Sequence, residues 1–188
     1  MLAARSLGKR YGTRWLFRNL EFDLNTGDCL VAIGSNGSGK STFLKSLVGL
    51  VEPSEGTVQI TGTVSYSALD LALYPALTAA EHLELSGELR GIPGRIDELL
   101  DRVGLPKSRD QQTHEYSTGM RARLKLAIAL QANPQVLILD EPGAGLDAVG
   151  RSLVESIVEQ QRSVGAVVIA TNEPSERRFA TMELEIGK

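Results

Sequence analysis

One nonapeptide, Gly34-Ser35-Asn36-Gly37-Ser38-Gly39-Lys40-Ser41-Thr42, constrains this chain more than any other stretch. It fits the pattern G-x-x-x-x-G-K-[ST]. An apolar run, Cys29-Leu30-Val31-Ala32-Ile33, precedes it, and an apolar stretch of helical character, Phe43-Leu44-Lys45-Ser46-Leu47-Val48, follows. Strand, glycine loop, helix is the context in which such a loop wraps an anion. Glycines let successive backbone N–H groups point inward. A helix beginning at Lys40 turns its positive end to the same place. Lys40 adds a full charge, and the Ser41 hydroxyl is placed to ligate Mg²⁺. The nine residues therefore predict a nucleotide phosphate site.

The remainder of the chain has to supply a sheet for that loop. In 188 residues, 42% apolar, 23% charged and with formal charge −3, there is room for one domain with a buried core. The acidic balance argues against a broad nucleic-acid surface. No apolar run reaches membrane-spanning length, and the first residues hold no signal-peptide core. Cys29, the single cysteine, reads as a small buried residue. His82 and His114 lack metal-ligand spacing. These features predict a cytoplasmic protein.

Residues 5–26 read as a small β unit closed by the turn Asn25-Thr26-Gly27-Asp28. Short strands are expected at 57–60 and 63–66, and buried strands at 136–139, 166–170 and 184–186. Helical periodicity covers 40–50, 78–89, 95–103, 118–132 and 149–162, with Thr78 and Glu81 suited to a capping box. Apolar strands alternating with helices predict an α/β fold, a mostly parallel sheet covered on both faces.

A second cluster lies at Val136-Leu137-Ile138-Leu139-Asp140-Glu141, a strand ending in two acids. Strand carboxyl ends are where open α/β sheets bind ligands. Asp140 suits Mg²⁺ opposite Ser41, and Glu141 suits the orientation of a water attacking the terminal phosphate. Solvated acids at a strand end are the plainer alternative.

Between the clusters, Tyr116-Ser117-Thr118-Gly119-Met120-Arg121 opens a helix, with Ser117 a natural N-cap. At these residues the chain resembles the ATP-binding cassette ATPases. Their signature is a Ser-x-Gly step at a helix start, commonly Leu-Ser-Gly-Gly-Gln, of which Ser117 and Gly119 are kept. The resemblance covers almost the whole chain. It implies a P-loop NTPase core with an N-terminal antiparallel β unit, and a small α-helical subdomain over 70–116 inserted in a single 1–188 domain. It implies ATP and Mg²⁺ as ligands, with Tyr11 of Lys9-Arg10-Tyr11-Gly12 stacking on adenine; a strand aromatic packed on the core is the alternative for Tyr11. Asp147, in Glu141-Pro142-Gly143-Ala144-Gly145-Leu146-Asp147, would touch a second nucleotide-binding subunit, taken as another copy of this chain. Ser117 and Gly119 of that copy would close over the Gly34–Thr42 loop. Transmembrane permease subunits would dock on the helical subdomain, which places the chain on the cytoplasmic face of the membrane.

The chain departs from the family's pattern twice. Asn172, in Ala170-Thr171-Asn172, stands where a His usually contacts the γ-phosphate; an amide can donate to phosphate but cannot become a cation. Leu69 stands where a Gln is usual, with Asp70 next to it as a substitute if the loop shifts by one residue. With Lys40, Ser41, Asp140 and Glu141 intact, the expectation is an exporter-type transport ATPase of reduced rate. The ending Ala170-Thr171-Asn172-Glu173-Pro174 is similar to that of the heme-exporter ATPases of cytochrome c maturation. A weakly hydrolysing regulatory cassette, a soluble cassette ATPase acting on DNA or ribosomes, and another P-loop class such as a kinase are the alternatives.

Overall fold

A computed structural model describes residues 1–68 and 70–187. The chain opens with β1 (Leu2–Tyr11) and β2 (Arg14–Leu24), then β3 (Cys29–Ile33) and α1 (Lys40–Leu47). Next come β4 (Glu55–Ile60), β5 (Val64–Ser67), α2 (Ala79–Arg90) and α3 (Ile96–Arg102). The last part holds α4 (Thr118–Leu130), β6 (Val136–Asp140), α5 (Ala148–Val164), β7 (Ala166–Thr171) and β8 (Met182–Glu185).

Two sheets form. β2-β1-β4 is antiparallel, and β5-β6-β7-β3-β8 is parallel throughout. The three central strands of the parallel sheet, β3, β6 and β7, are apolar at nearly every position, because alternate residues feed two different cores. Cys29, Val31, Leu137, Leu139, Val167 and Ile169 pack toward α2, α3, α4 and α5. Leu30, Ala32, Ile138, Val168 and Ala170 pack toward α1 and the antiparallel sheet. Each fully buried Leu, Ile or Val contributes about 1.5–3 kcal/mol, so both faces have to be covered.

α1 is held against the antiparallel sheet by Phe43, whose ring meets Phe17 edge-on at 5.6 Å and Phe22 at 6.0 Å. That contact fixes the helix on which the glycine loop ends. On the opposite face α2 starts with the expected capping box: Thr78 Oγ1 accepts from Glu81 N, and Glu81 Oε2 accepts from Thr78 N at 2.7 Å. α4 begins at its Ser117 cap, below Tyr116, which is buried and donates to Ser108 O at 2.5 Å.

Several boundaries differ from the sequence reading. The β unit begins at Leu2 rather than 5, and α1 ends at Leu47 rather than 50. α4 stops at Leu130 and the last strand is Met182–Glu185. A 3-10 turn at Pro174–Phe179 has no counterpart in the sequence reading. Cys29 is buried as expected, and desolvation pushes its thiol up to about 12.

Candidate active site

The strand order decides which residues meet. β7 lies between β3 and β6, with Ala32 and Asp140 both paired to Ala170, and Ile33 to Thr171. The three strands end level. The glycine loop, Asn172 and Glu141 therefore leave the sheet side by side at its carboxyl edge, where α/β sheets bind ligands.

The loop from Gly34 to Thr42 curls over the start of α1. Gly37 and Gly39 have positive φ, 77° and 110°, conformations that suit residues without a Cβ. A Cβ on Gly39 would also sit 3.0 Å from Leu16 Cβ. Leu16, from β2, lines the cleft together with Asn36, Gly37, Gly39, Lys40, Ser41, Thr42 and Glu141. It was missed in the sequence, where it is one apolar residue in an alternating strand.

Lys40 is 5% exposed. Its Nζ donates to Gly34 O at 2.9 Å and Ser35 O at 3.3 Å, and lies 3.7 Å from Glu141 Oε1. Glu141 has φ 49°, a left-handed backbone that costs a residue with a side chain about 1–3 kcal/mol. The kink turns its carboxylate back over Lys40, while its N–H bonds Ala170 O at 2.8 Å. Asp140, one residue earlier, is held on Oδ2 by the Tyr66 hydroxyl at 3.3 Å. Burial and then the Asp140 charge raise the Tyr66 pKa, keeping the phenol a donor.

Asp140 Oδ1 is buried and makes no hydrogen bond, and Ser38 Oγ is in the same condition. A buried carboxylate oxygen without a partner is costly unless a cation or donor meets it. Among the described residues no group of three or more His, Cys, Asp or Glu can bind a metal. The unpartnered Asp140 Oδ1, with Ser41 lining the cleft, is donor chemistry that suits a hard cation keeping most of its water, as Mg²⁺ does.

Asn172 reaches the loop. Its Nδ2 donates to Asn36 Oδ1 at 3.0 Å, which puts its amide at the rim of the cleft. Asp70, offered as a substitute for the missing Gln, forms an ion pair with Lys45 on α1 at 2.7 Å. Asp70 holds the Lys45 ammonium above its ordinary range, with smaller contributions from Asp140 and Tyr11. Leu69 lies outside the described residues. Tyr11 is 56% exposed with Lys9 Nζ 5.0 Å from its ring centroid, so the alternative of an aromatic packed in the core is excluded.

Ser117, Gly119 and Asp147 do not join this cleft within the chain. Ser117 Oγ accepts from Met120 N at 3.2 Å, and Asp147 Oδ1 accepts from Gly150 N at 2.8 Å. Asp147 thus has a task the sequence reading omitted, capping α5. A Cβ on Gly119 would lie 3.8 Å from Gly145 O, so the Ser-x-Gly step and the 143–147 turn form one neighbourhood, with Ser117 and Asp147 exposed.

Comparison with known proteins bears on this arrangement. A family model described as "ABC transporter" matches residues 17–144. An uncharacterized ABC transporter ATP-binding protein of Bacillus subtilis, YxlF, is 36% identical over 92% of this chain and 62% of its own length. This chain therefore spans less than two thirds of that relative. The cytochrome c biogenesis ATP-binding export protein CcmA of Nitrosococcus oceani is 36% identical over 91% of this chain and 85% of its own. A solved structure described as an ATP binding subunit of an ABC transporter superposes with a TM-score of 0.89 at 25% identity, covering 99% of this chain and 85% of the other.

Proposed function

The chain belongs to the ABC transporter family, and on that premise we propose that it binds and hydrolyses ATP as the motor subunit of a membrane transporter, working as a pair of copies. The observation that carries this reading is the split of the site. Lys40, Ser41, Asp140, Glu141 and Asn172 gather at one sheet edge, while Ser117, Gly119 and Asp147 form a separate exposed surface. A phosphate held by the glycine loop alone is open to water on one side. The helix N-terminus at Ser117 of a second copy supplies further N–H donors and excludes that water.

Each residue then has a task. The loop N–H groups and Lys40 bind phosphate, and Tyr11 offers a face to the base. Ser41 and Asp140 hold Mg²⁺, which when bound supplies charge for the phosphate oxygens. Glu141 orients water and receives its proton, and Asn172 donates to the terminal phosphate. Binding closes the pair, and the charge separated by hydrolysis reopens it.

Docking on membrane subunits is supported by an apolar groove between the 70–116 insert and α4. Leu71, Leu73, Tyr74, Leu85, Leu89 and Ile128 line it, with Leu89 79% and Tyr74 63% exposed. A short amphipathic helix of a membrane subunit, on the cytoplasmic face, fits that chemistry. No helix among the described residues is long and apolar enough to cross a membrane.

The test is turnover against subunit concentration. A site shared between copies gives a specific activity that rises with concentration and then saturates. Activity per subunit that stays constant down to the highest dilution would overturn the shared site. Isolation from membranes with multispanning subunits supports transport, whereas isolation on ribosomes or DNA overturns it.

Asn172→His tests the γ-phosphate contact. Exchanging a neutral donor for a charged one adds about 1 kcal/mol to such a bond, so kcat is expected to rise about fivefold below the histidine pKa. The gain should fade as the imidazole loses its proton. An unchanged kcat at every pH means that this position does not touch the phosphate.

A further inference from the structure

Among the described residues Glu176 is the only acid in the interior, 7% exposed. It belongs to the 3-10 turn Pro174–Phe179, just after the end of β7. Its Oε1 accepts the N–H of Gly143 at 2.9 Å in a buried hydrogen bond, and Oε2 has no hydrogen-bond partner. Desolvation raises the Glu176 carboxyl pKa, opposed by the Thr171 side chain and the Gly143 N–H, with the nearby negative charges of Glu173 and Glu141 adding to the rise.

A carboxyl in the interior costs free energy that an apolar side chain of the same size avoids. A purely space-filling role is therefore better served by Met or Leu. What the carboxyl provides is a bridge. On one side is the exit of β7, where Thr171 leads into Asn172 and its bond to Asn36 of the glycine loop. On the other is the turn that starts at the left-handed Glu141 and runs through Gly143 to Asp147. Glu141 N also bonds Ala170 O, so the two segments are joined at two points. Gly143 is fitted to this bridge: a Cβ there would lie 2.5 Å from Glu176 Oε1.

We propose that Glu176 is a positioning residue for hydrolysis, clamping Gly143 to the β7 exit so that Glu141, Asn172 and the 143–147 turn are held as one unit. The clamp rests on the ATPase reading given above. It acts through backbone, touching neither nucleotide nor water itself. Misplacing a reacting group by a fraction of an ångström is costly to rate and cheap for binding, so kcat and KM should separate.

Glu176→Gln keeps an acceptor oxygen at the same place, and Glu176→Met keeps the volume without it. The Gln variant is expected within twofold of the parent. The Met variant should lose about tenfold in kcat, with KM for ATP within twofold and an unchanged melting temperature. Gly143→Ala, which attacks the same bridge from its other end, should also lose about tenfold, and adding it to Glu176→Met should cost almost nothing more. Full kcat in Glu176→Met, an equal loss in Glu176→Gln, or independent losses in the double variant overturns the clamp. If Glu176→Met does not fold, Gly143→Ala decides: a kcat at the parent level overturns the clamp, and a fall in kcat at constant KM sustains it. Should the parent turn over no faster than Glu141→Gln, the ATPase reading itself fails and the clamp falls with it.

Discussion

Glu141→Gln is expected to lower ATP turnover by about 100-fold or more while the protein still binds ATP. The side chain stands at the end of β6 with its Oε1 3.7 Å from Lys40 Nζ, on the wall of the phosphate cleft. Glutamine has the same shape and can still align a water by hydrogen bonding, but it cannot accept that water's proton. It also removes one negative charge from a cleft built for a polyanion. The ATP dissociation constant should therefore stay the same or fall, even as turnover collapses. Phosphate release under saturating ATP and equilibrium binding of a fluorescent ATP analogue measure the two arms. Equal turnover in the two proteins would falsify the role given to Glu141. A parallel loss of affinity would show that the carboxylate shapes the loop through Lys40 rather than acting on water.

The parts of the molecule legible in the sequence are those whose physics is local. The glycine loop announces itself because conformational freedom, charge and a helix start fall within nine residues. The capping box at Thr78 and Glu81 and the cap at Ser117 are equally local, and both are present. Strand order is different. β3, β6 and β7 are apolar on both faces, so their residues carry no mark of which neighbour they pair with. At their starting ends the pairing continues, by Val167 N to Asp28 O at 3.0 Å between β7 and β3 and by Ala166 N to Gln135 O at 2.9 Å between β7 and β6. Only that order shows why Asn172 meets Asn36. Glu176 was illegible for the opposite reason: Pro174-Ser175-Glu176-Arg177-Arg178 reads as a solvated charged turn. Its two arginines do face water, pairing with Glu183 and Glu155. The glutamate alone turns inward to meet a backbone N–H contributed by Gly143. Asp70 is a further long-range case, since nothing local in the chain marks Lys45 of α1 as its ion-pair partner.

The largest effect on binding is expected from Lys40→Ala. Lys40 is buried, and its two hydrogen bonds go to Gly34 O and Ser35 O of its own loop. One ammonium therefore both shapes the loop and carries the charge presented to phosphate. A charge-assisted bond of this kind contributes about 1.5–3 kcal/mol, so the ATP dissociation constant should rise by about 10–150-fold. The two roles predict different patterns. If charge dominates, ATP suffers more than ADP, because the ammonium serves the β and γ phosphates, and the loop N–H groups still hold what ADP retains. If shaping dominates, the loop loses its form and both nucleotides weaken equally. The cleft geometry favours the first pattern. The turn is already fixed without Lys40, by the Ser38 N bond to Ser35 O at 3.1 Å, the Phe43 N bond to Gly39 O at 2.8 Å and the packing of Phe43 below. Lys40→Arg should not restore affinity, since a planar guanidinium cannot occupy the space of a compact ammonium between two carbonyls. Calorimetric titration of both nucleotides into Lys40→Ala and Lys40→Arg separates the patterns. An ATP-to-ADP affinity ratio unchanged from the parent would assign Lys40 to the loop instead of the phosphate.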